Sequence, residues 1–142
     1  MQDIISFVIK YWYLWASLLA VIFILIRTEL TSTVAGILLI SPDDVVTKMN
    51  HEDAMVVDVR DNNAYANGHI LGAHHVMPKD IDDKKHKLAK AKDKPIIVVD
   101  AQGQQAPKLA ATLREQGLTT LFALKGGMSA WTAAGLPLAK KH

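Results

Sequence analysis

The sequence predicts an α/β domain with a mostly parallel sheet, preceded by one N-terminal transmembrane helix. Two observations lead to this fold class. Short apolar runs without polar alternation, such as residues 96–99 (IIVV), are separated by segments of helical pattern, which is typical of strands buried on both faces by crossover helices. The first thirty residues contain a long uncharged apolar run, and the 142-residue chain has room for one folded domain beside it.

Composition excludes several classes of function. Sixteen Lys and Arg against fourteen Asp and Glu give a formal charge of +2, which is too small for the basic field that drives nucleic-acid binding. The chain has no cysteine, so a thiol nucleophile, a persulfide, a disulfide and a thiolate metal site are all excluded. Adjacent His74 and His75 would point to opposite faces of a strand, so we predict no metal site and no cofactor.

The N-terminal apolar run predicts a membrane anchor. Residues 11–26 contain no charge, Pro or Gly, and at about 1.5 Å per residue they cover roughly 24 Å of helix. Residues 4–9 extend the run backward past Lys10, whose long side chain can reach the headgroups. Trp12 and Trp15 favour a membrane interface at one end. We therefore expect residues 4–26 to contact the membrane as a single helix.

A cleaved secretory signal and a buried core helix are the alternatives for this segment. Small residues at 33–35, just before Gly36, would suit a signal peptidase. Asp3 and the lack of a basic residue before Lys10 argue against a signal peptide, and so does the length of the apolar stretch. The predicted organisation is an anchor at 1–27, a polar linker at 28–36 and a domain at 37–142.

Within the domain, strand and helix patterns alternate in the order that a parallel sheet needs. Ser41 followed by Pro42 is a typical helix start, because serine caps the first turn and proline suits its first position. The stretch 80–94 mixes lysine with aspartate and predicts a solvated helix and loop, with a phospholipid-facing patch as the alternative. The predicted strands are 37–40, 54–57, 73–76, 96–99 and 121–124, and the predicted helices are 42–49, 106–116 and 128–134.

Three motifs follow one another along the domain at characteristic spacing. They are VVDVRD at 56–61 followed by GHILGA at 68–73, KPIIVV at 94–99 running into DAQGQQ at 100–105, and LKGGMSAW at 124–131 followed by GLPL at 135–138. In this order they resemble the single-domain rhodanese family over residues 37–138. The whole chain is similar to membrane-anchored rhodanese-like proteins of bacteria. The resemblance implies a three-layer fold around a central, mostly parallel five-stranded sheet.

The loop after strand 96–99 decides the chemistry. In rhodaneses it begins with the catalytic cysteine, and the resemblance implies that the backbone amides of the loop cradle a persulfide or an anion. Asp100 matches that cysteine, and Gln105 matches a basic residue often found in active members. A carboxylate cannot hold a sulfane sulfur, so we expect Asp100 to cap the loop amides and to disfavour a small anionic ligand. The predicted inactive loop is Asp100, Ala101, Gln102, Gly103, Gln104 and Gln105, and the residues predicted to flank its pocket are Asp58, Arg60, His69, Gly126 and Gly127.

The sequence therefore predicts a catalytically inactive rhodanese homologue, anchored in the membrane, that acts as a protein-binding or regulatory module. The resemblance implies the bacterial inner membrane with the domain on the cytoplasmic side, and a protein partner at or near that membrane. The enzymatic alternative is a sulfurtransferase or hydrolase that uses a non-cysteine residue or a cysteine supplied by a partner. A structural adaptor whose anchor is the active part is a third possibility.

Overall fold

The computed structural model divides into two compact units, Met1–Ser32 and Thr33–His142. Much of the lysine-rich stretch, and with it the helix and lipid-facing patch considered there, lies outside the described residues. The structure describes residues 1–30, 33–34, 36–81, 88, 90–91 and 93–140.

The N-terminal unit contains two helices instead of the single predicted one. Helix α1 (Gln2–Lys10) and helix α2 (Trp12–Leu30) are separated by Tyr11, whose φ of −113° and ψ of 26° leave the helical region. The pair is bent by 66°. Among the described residues neither helix by itself has the length and apolar character of a membrane span, whereas Gln2–Lys10 and Trp12–Arg27 together have both.

The second unit is built on a sheet whose five parallel strands confirm the predicted architecture. A two-residue antiparallel strand, which falls inside the predicted linker, adds a sixth at one edge. Its Thr33 and Val34 pair with Leu38 and Ile37, and two residues are too few to show a strand period in the sequence. The strands are β1 (Thr33–Val34), β2 (Ile37–Ile40), β3 (Met55–Asp58), β4 (His74–His75), β5 (Ile96–Val99) and β6 (Leu121–Leu124), in the spatial order β1-β2-β6-β5-β3-β4.

Four helices and one 3₁₀ turn connect the strands. Ser41 begins α3 as predicted: its Oγ accepts the Asp44 N–H at 3.2 Å, and the Asp44 carboxylate accepts the Ser41 N–H at 3.4 Å. Helix α4 was not predicted, because six residues are too short for a helical period. The helices are α3 (Pro42–His51), α4 (Asn62–Asn67), α5 (Ala106–Glu115) and α6 (Gly127–Ala133), and the 3₁₀ turn is Pro78–Asp80.

The core forms two apolar clusters, one on each face of the sheet. Leu113 of α5 belongs to the cluster on one face, and Val45 of α3 and Trp131 of α6 belong to the cluster on the other. All four residues of β5 are buried, as expected for a central strand covered by helices on both sides. The sheet is therefore the middle of three layers, and its carboxyl edge is the place where loops can form a site.

Candidate functional site

A cavity of about 390 Å³ opens at the carboxyl edge of the sheet. The register that pairs Asp58 with Val99 brings the ends of β3 and β5 together, so the loops after these strands face each other. Five of the six residues of the loop 100–105 line the cavity. The opposite wall is formed by Val59, Arg60, Asp61, Ala64, Met77 and Pro78.

The carboxylate of Asp100 lies at the centre of the loop 100–105. The side chain is only 4% exposed, and its Oδ1 accepts the Gly103 N–H. Its Oδ2 accepts the N–H groups of Gln105 at 2.6 Å and Ala106 at 3.0 Å. Gln105, the residue before α5, makes no side-chain cap of its own. Asp100 thus caps the loop and the start of α5, as the sequence predicted, and its negative charge sits at the positive end of that helix.

Gly126 and Gly127 support the loop from behind and are not among the described residues that line the cavity. The Asp100 carbonyl accepts the Met128 N–H at 2.8 Å, and a Cβ on Gly127 would lie 2.6 Å from that same carbonyl oxygen. Gly127 also has a φ of +59°, which side chains other than glycine rarely adopt. On the loop side, a Cβ on Gly103 would lie 2.8 Å from the Gly126 nitrogen. Gly127 and Gly103 therefore let the backbone after β6 approach the loop after β5 closely.

Asp58 and Arg60 form an ion pair at the end of β3. Arg60 Nε lies 3.0 Å from Asp58 Oδ1 and Nη2 lies 2.8 Å from Oδ2, a two-pronged arrangement. Asp58 is fully buried, while Arg60 reaches the cavity wall and donates a further bond from Nη2 to the Gly68 carbonyl at 2.7 Å. The positive charge that Arg60 brings to the cavity wall is therefore already paired with a carboxylate.

His69 lies outside the described lining of the cavity, in a stack of three rings. Its imidazole packs on Tyr65 with ring centroids 3.9 Å apart, and His75 packs on Tyr65 at 4.4 Å. His69 Nδ1 donates to the Tyr65 carbonyl and His75 Nε2 donates to the Arg60 carbonyl, each at 2.7 Å. The hydrogen bond from His75 holds the backbone of Arg60 in place. The sequence pattern predicts no role for Tyr65 or His75 in this stack, because His75 of β4 meets Tyr65 of α4 only in the folded domain.

Among the described residues that line the cavity there are two carboxylates and one cation. Asp61 and Asp100 line it, and Arg60, which also lines it, is neutralised by Asp58. The described residues include no group of three or more His, Cys, Asp or Glu side chains suited to a metal ion. The arrangement can bind a neutral segment by its apolar floor and polar rim, and it disfavours a small anion by charge.

The domain has three layers with a parallel sheet in the middle, and the loop after its central strand turns its N–H groups inward at the start of a helix. These features define the class of rhodanese-like domains. The chain belongs to this family: the family model for the rhodanese-like domain matches residues 41–134.

Relatives include both enzymes and proteins without an assigned activity. The chain is 33% identical to "Uncharacterized protein YibN" of Escherichia coli strain K12 over 141 residues, which is 99% of each chain. It is 37% identical to "Thiosulfate sulfurtransferase GlpE" of Pseudomonas fluorescens over 90 residues, 63% of this chain and 81% of that one. Among solved structures, the rhodanese-like domain protein of Staphylococcus aureus superposes with a TM-score of 0.61 at 28% identity, covering 72% of this chain and 97% of that one.

Proposed function

We propose that this protein is a membrane-anchored rhodanese-like domain without sulfurtransferase activity, which acts as a protein-binding or regulatory module. One observation carries the proposal. In the loop where the family places its cysteine, the buried carboxylate of Asp100 accepts hydrogen bonds from the N–H groups of Gly103, Gln105 and, at the start of α5, Ala106. The chain contains no cysteine at all.

The chemistry of sulfur transfer explains why this substitution matters. A thiolate attacks the sulfane sulfur of thiosulfate, the sulfur–sulfur bond of thiosulfate breaks, and sulfite leaves with the electron pair. A carboxylate oxygen does not form the corresponding stable persulfide, and Asp100 adds a negative charge that repels the thiosulfate dianion. Arg60, the cation among the described residues of the cavity wall, is paired with Asp58 at 2.8 Å, so its charge is already offset.

The cavity keeps features that suit a peptide segment of a protein partner. Ala64 and Met77, which are partly exposed, offer apolar surface, and the side chains of Gln102 and Gln104 are exposed at the rim. Carboxamides both donate and accept hydrogen bonds, so they match the peptide groups of a partner without requiring charge. Holding the domain at a membrane would raise its effective concentration for partners in the same membrane.

The membrane part of the proposal is supported by the apolar helices α1 and α2 and by the whole-chain similarity to YibN, which extends through these N-terminal residues. We place the protein in a bacterial inner membrane with the domain on the cytoplasmic side. Protease treatment of sealed vesicles of both orientations tests this placement: the domain should be degraded only where the cytoplasmic face is outside, and degradation in right-side-out vesicles would contradict it.

A gain-of-function variant tests the assignment of Asp100. The full chain in detergent should show no thiosulfate-to-cyanide transfer above buffer. Asp100→Cys should acquire the mass of one sulfur atom after thiosulfate treatment, because the same N–H groups would then stabilise a thiolate and its persulfide. Asp100→Ser is the matched control, since it offers an oxygen of similar size and should gain nothing. Wild-type turnover that disappears in Asp100→Ala would overturn the inactive assignment and favour the enzymatic alternative.

Site-specific photo-crosslinking in cells tests the binding role. A photoreactive residue at Gln104, on the cavity rim, should give a discrete adduct with a partner. The same residue at Lys108, exposed on α5, is the matched control and should give none. Adducts formed only from positions in α2 would favour the purely structural adaptor and contradict a role for the cavity.

A further inference from the structure

Helix α1 has two faces of opposite character. Turning about 100° per residue, its polar side chains fall on one narrow strip while its apolar side chains cover the remaining circumference. The Oγ of Ser6 bonds the Gln2 carbonyl at 2.8 Å along that strip. The polar strip consists of Gln2, Asp3, Ser6 and Lys10, and the apolar face consists of Ile4, Ile5, Phe7, Val8 and Ile9.

No residue of α1 is buried by the described part of the protein. Ile4 and Ile9 are 68% and 67% exposed, and Ile5 and Phe7 are each 57% exposed. An uncovered apolar face of this size requires an apolar partner. Helix α2 follows after a single residue and is apolar on every side from Trp12 to Ile26, which is the pattern of a helix surrounded by lipid. The lipid that surrounds α2 is therefore the apolar partner available to cover the apolar face of α1.

We infer that α1 lies flat in the membrane–water interface, with its apolar face toward the acyl chains, and that α2 alone crosses the bilayer. The inference rests on the proposed membrane anchoring and assigns different roles to the two helices. It replaces the expectation that residues 4–26 cross as one helix.

The bend between α1 and α2 supports an interfacial position of α1. A nine-residue helix is about 13 Å long, and one bent by 66° from α2 advances only about 5 Å along the axis of α2. With α2 along the membrane normal, α1 is therefore close to the membrane plane. The uncharged part of α2, residues 12–26, covers about 22 Å. The shortfall against a hydrocarbon core of about 30 Å is met by local thinning of the bilayer and by the long side chain of Arg27, which can extend its charge to the headgroups.

The charged residues of α1 also favour the interface over the hydrocarbon core. If residues 4–26 crossed the bilayer as one helix, Lys10 would lie inside the apolar run and its charge would have to reach back to the headgroups along its own side chain. In the interface the polar strip faces water and headgroups, while the apolar face is buried to a depth of about 5–10 Å. The Lys10 ammonium lies 5.6 Å from the Tyr11 ring, an arrangement suited to the headgroup level.

Single-cysteine labelling tests the inference directly, because the natural chain has no cysteine to compete. Ser6→Cys on the polar strip and Ile5→Cys on the apolar face are adjacent in sequence and form a matched pair. Asp3→Cys and Val8→Cys form a second pair. Asn50→Cys, exposed on α3, and Ser17→Cys, within α2, set the accessible and protected limits. The full chain is reconstituted in phosphatidylethanolamine–phosphatidylglycerol vesicles, and a charged maleimide is admitted to both sides.

We expect Ser6→Cys and Asp3→Cys to react about tenfold faster or more than Ile5→Cys and Val8→Cys, because the reacting thiolate forms only where water reaches the sulfur. Labelling that declines steadily from residue 3 to residue 8, whatever the face, would show a crossing helix and overturn the inference. Equal fast labelling within each pair would also overturn it. Resistance to alkaline carbonate extraction is measured separately: loss of the chain from the membrane would contradict anchoring itself, whereas retention with the wrong labelling pattern contradicts only the interfacial placement of α1.

Discussion

The loop that carries Asp100 depends on a residue with no side chain. Gly127 has a φ of +59°, and a Cβ added there would come within 2.6 Å of the Asp100 carbonyl oxygen and 2.7 Å of its Oδ1. Because the Met128 N–H donates to that carbonyl, the contact cannot open without losing a backbone hydrogen bond. The position of the buried carboxylate is therefore set by close backbone packing as well as by its own hydrogen bonds.

We predict that Gly127→Ala lowers the free energy of unfolding by about 3 kcal/mol or more, since it adds a clash with backbone atoms to the strain of a positive φ. Gly135→Ala is the matched control: its φ is +71°, but nothing lies within 4 Å of the added Cβ. It should cost only about 1–2 kcal/mol, from backbone strain alone. Urea unfolding of the full chain in detergent measures both. Equal losses for the two variants would show that packing against Asp100 contributes nothing.

The turn after β3 illustrates how an element can hold a charge in place. Asp58 is fully buried, and its carboxylate accepts both the Arg60 backbone N–H at 3.0 Å and the Arg60 guanidinium. Arg60 in turn bonds the Gly68 carbonyl, so the same side chain connects the turn to the segment after α4. His75 adds a bond to the Arg60 carbonyl from β4. The cavity wall formed by this turn is thus fixed from three elements.

Removing one partner of this pair should cost more than removing both. Arg60→Met leaves the buried Asp58 carboxylate without its cation, and we expect a loss of about 3–5 kcal/mol in the free energy of unfolding. The double variant Asp58→Leu with Arg60→Met removes both charges together and should be more stable than Arg60→Met alone. A double-mutant cycle from urea unfolding gives the comparison. Additive losses would mean that the pair is not coupled.

The elements also show what the sequence can and cannot specify. Strands β2, β5 and β6 lie where the sequence predicts them, because uninterrupted apolar runs are bounded by polar residues and by Pro95. The location of Asp100 follows in the same way, since its loop begins directly after β5. The bend at Tyr11 could not be predicted, because helix breaks are usually signalled by Pro or Gly and neither stands there. In the ring stack, Tyr65 and His69 are only four residues apart, but the contact with His75 of β4 forms only in the folded domain, and no local spacing encodes that contact.

At the scale of the folded domain, the C-terminal segment returns to the loop that precedes β4. His69 and Ala139 exchange two backbone hydrogen bonds, of 2.9 Å from the His69 N–H and 2.8 Å from the Ala139 N–H. Trp131 of α6 donates its indole N–H to the Pro137 carbonyl at 3.1 Å and so orients the segment between them. The carbonyl of Gly68, the residue before His69, accepts a hydrogen bond from Arg60 of the cavity wall. The contact between His69 and Ala139 therefore connects the C-terminal segment to the site.

We predict that Ala139→Pro loosens this junction locally, because proline has no N–H to donate to His69. The His69 amide, which donates to residue 139, should exchange its hydrogen about tenfold faster, while the free energy of global unfolding falls by only about 1 kcal/mol. Ala139→Ser keeps the N–H and is the matched control, for which His69 exchange should not change. Hydrogen exchange followed by mass spectrometry on the full chain, alongside urea unfolding, separates the two effects. An increase in His69 exchange no larger than the loss of global stability accounts for would contradict a local role of the C-terminal segment. The cavity wall would then be supported by the Arg60 and His75 contacts alone.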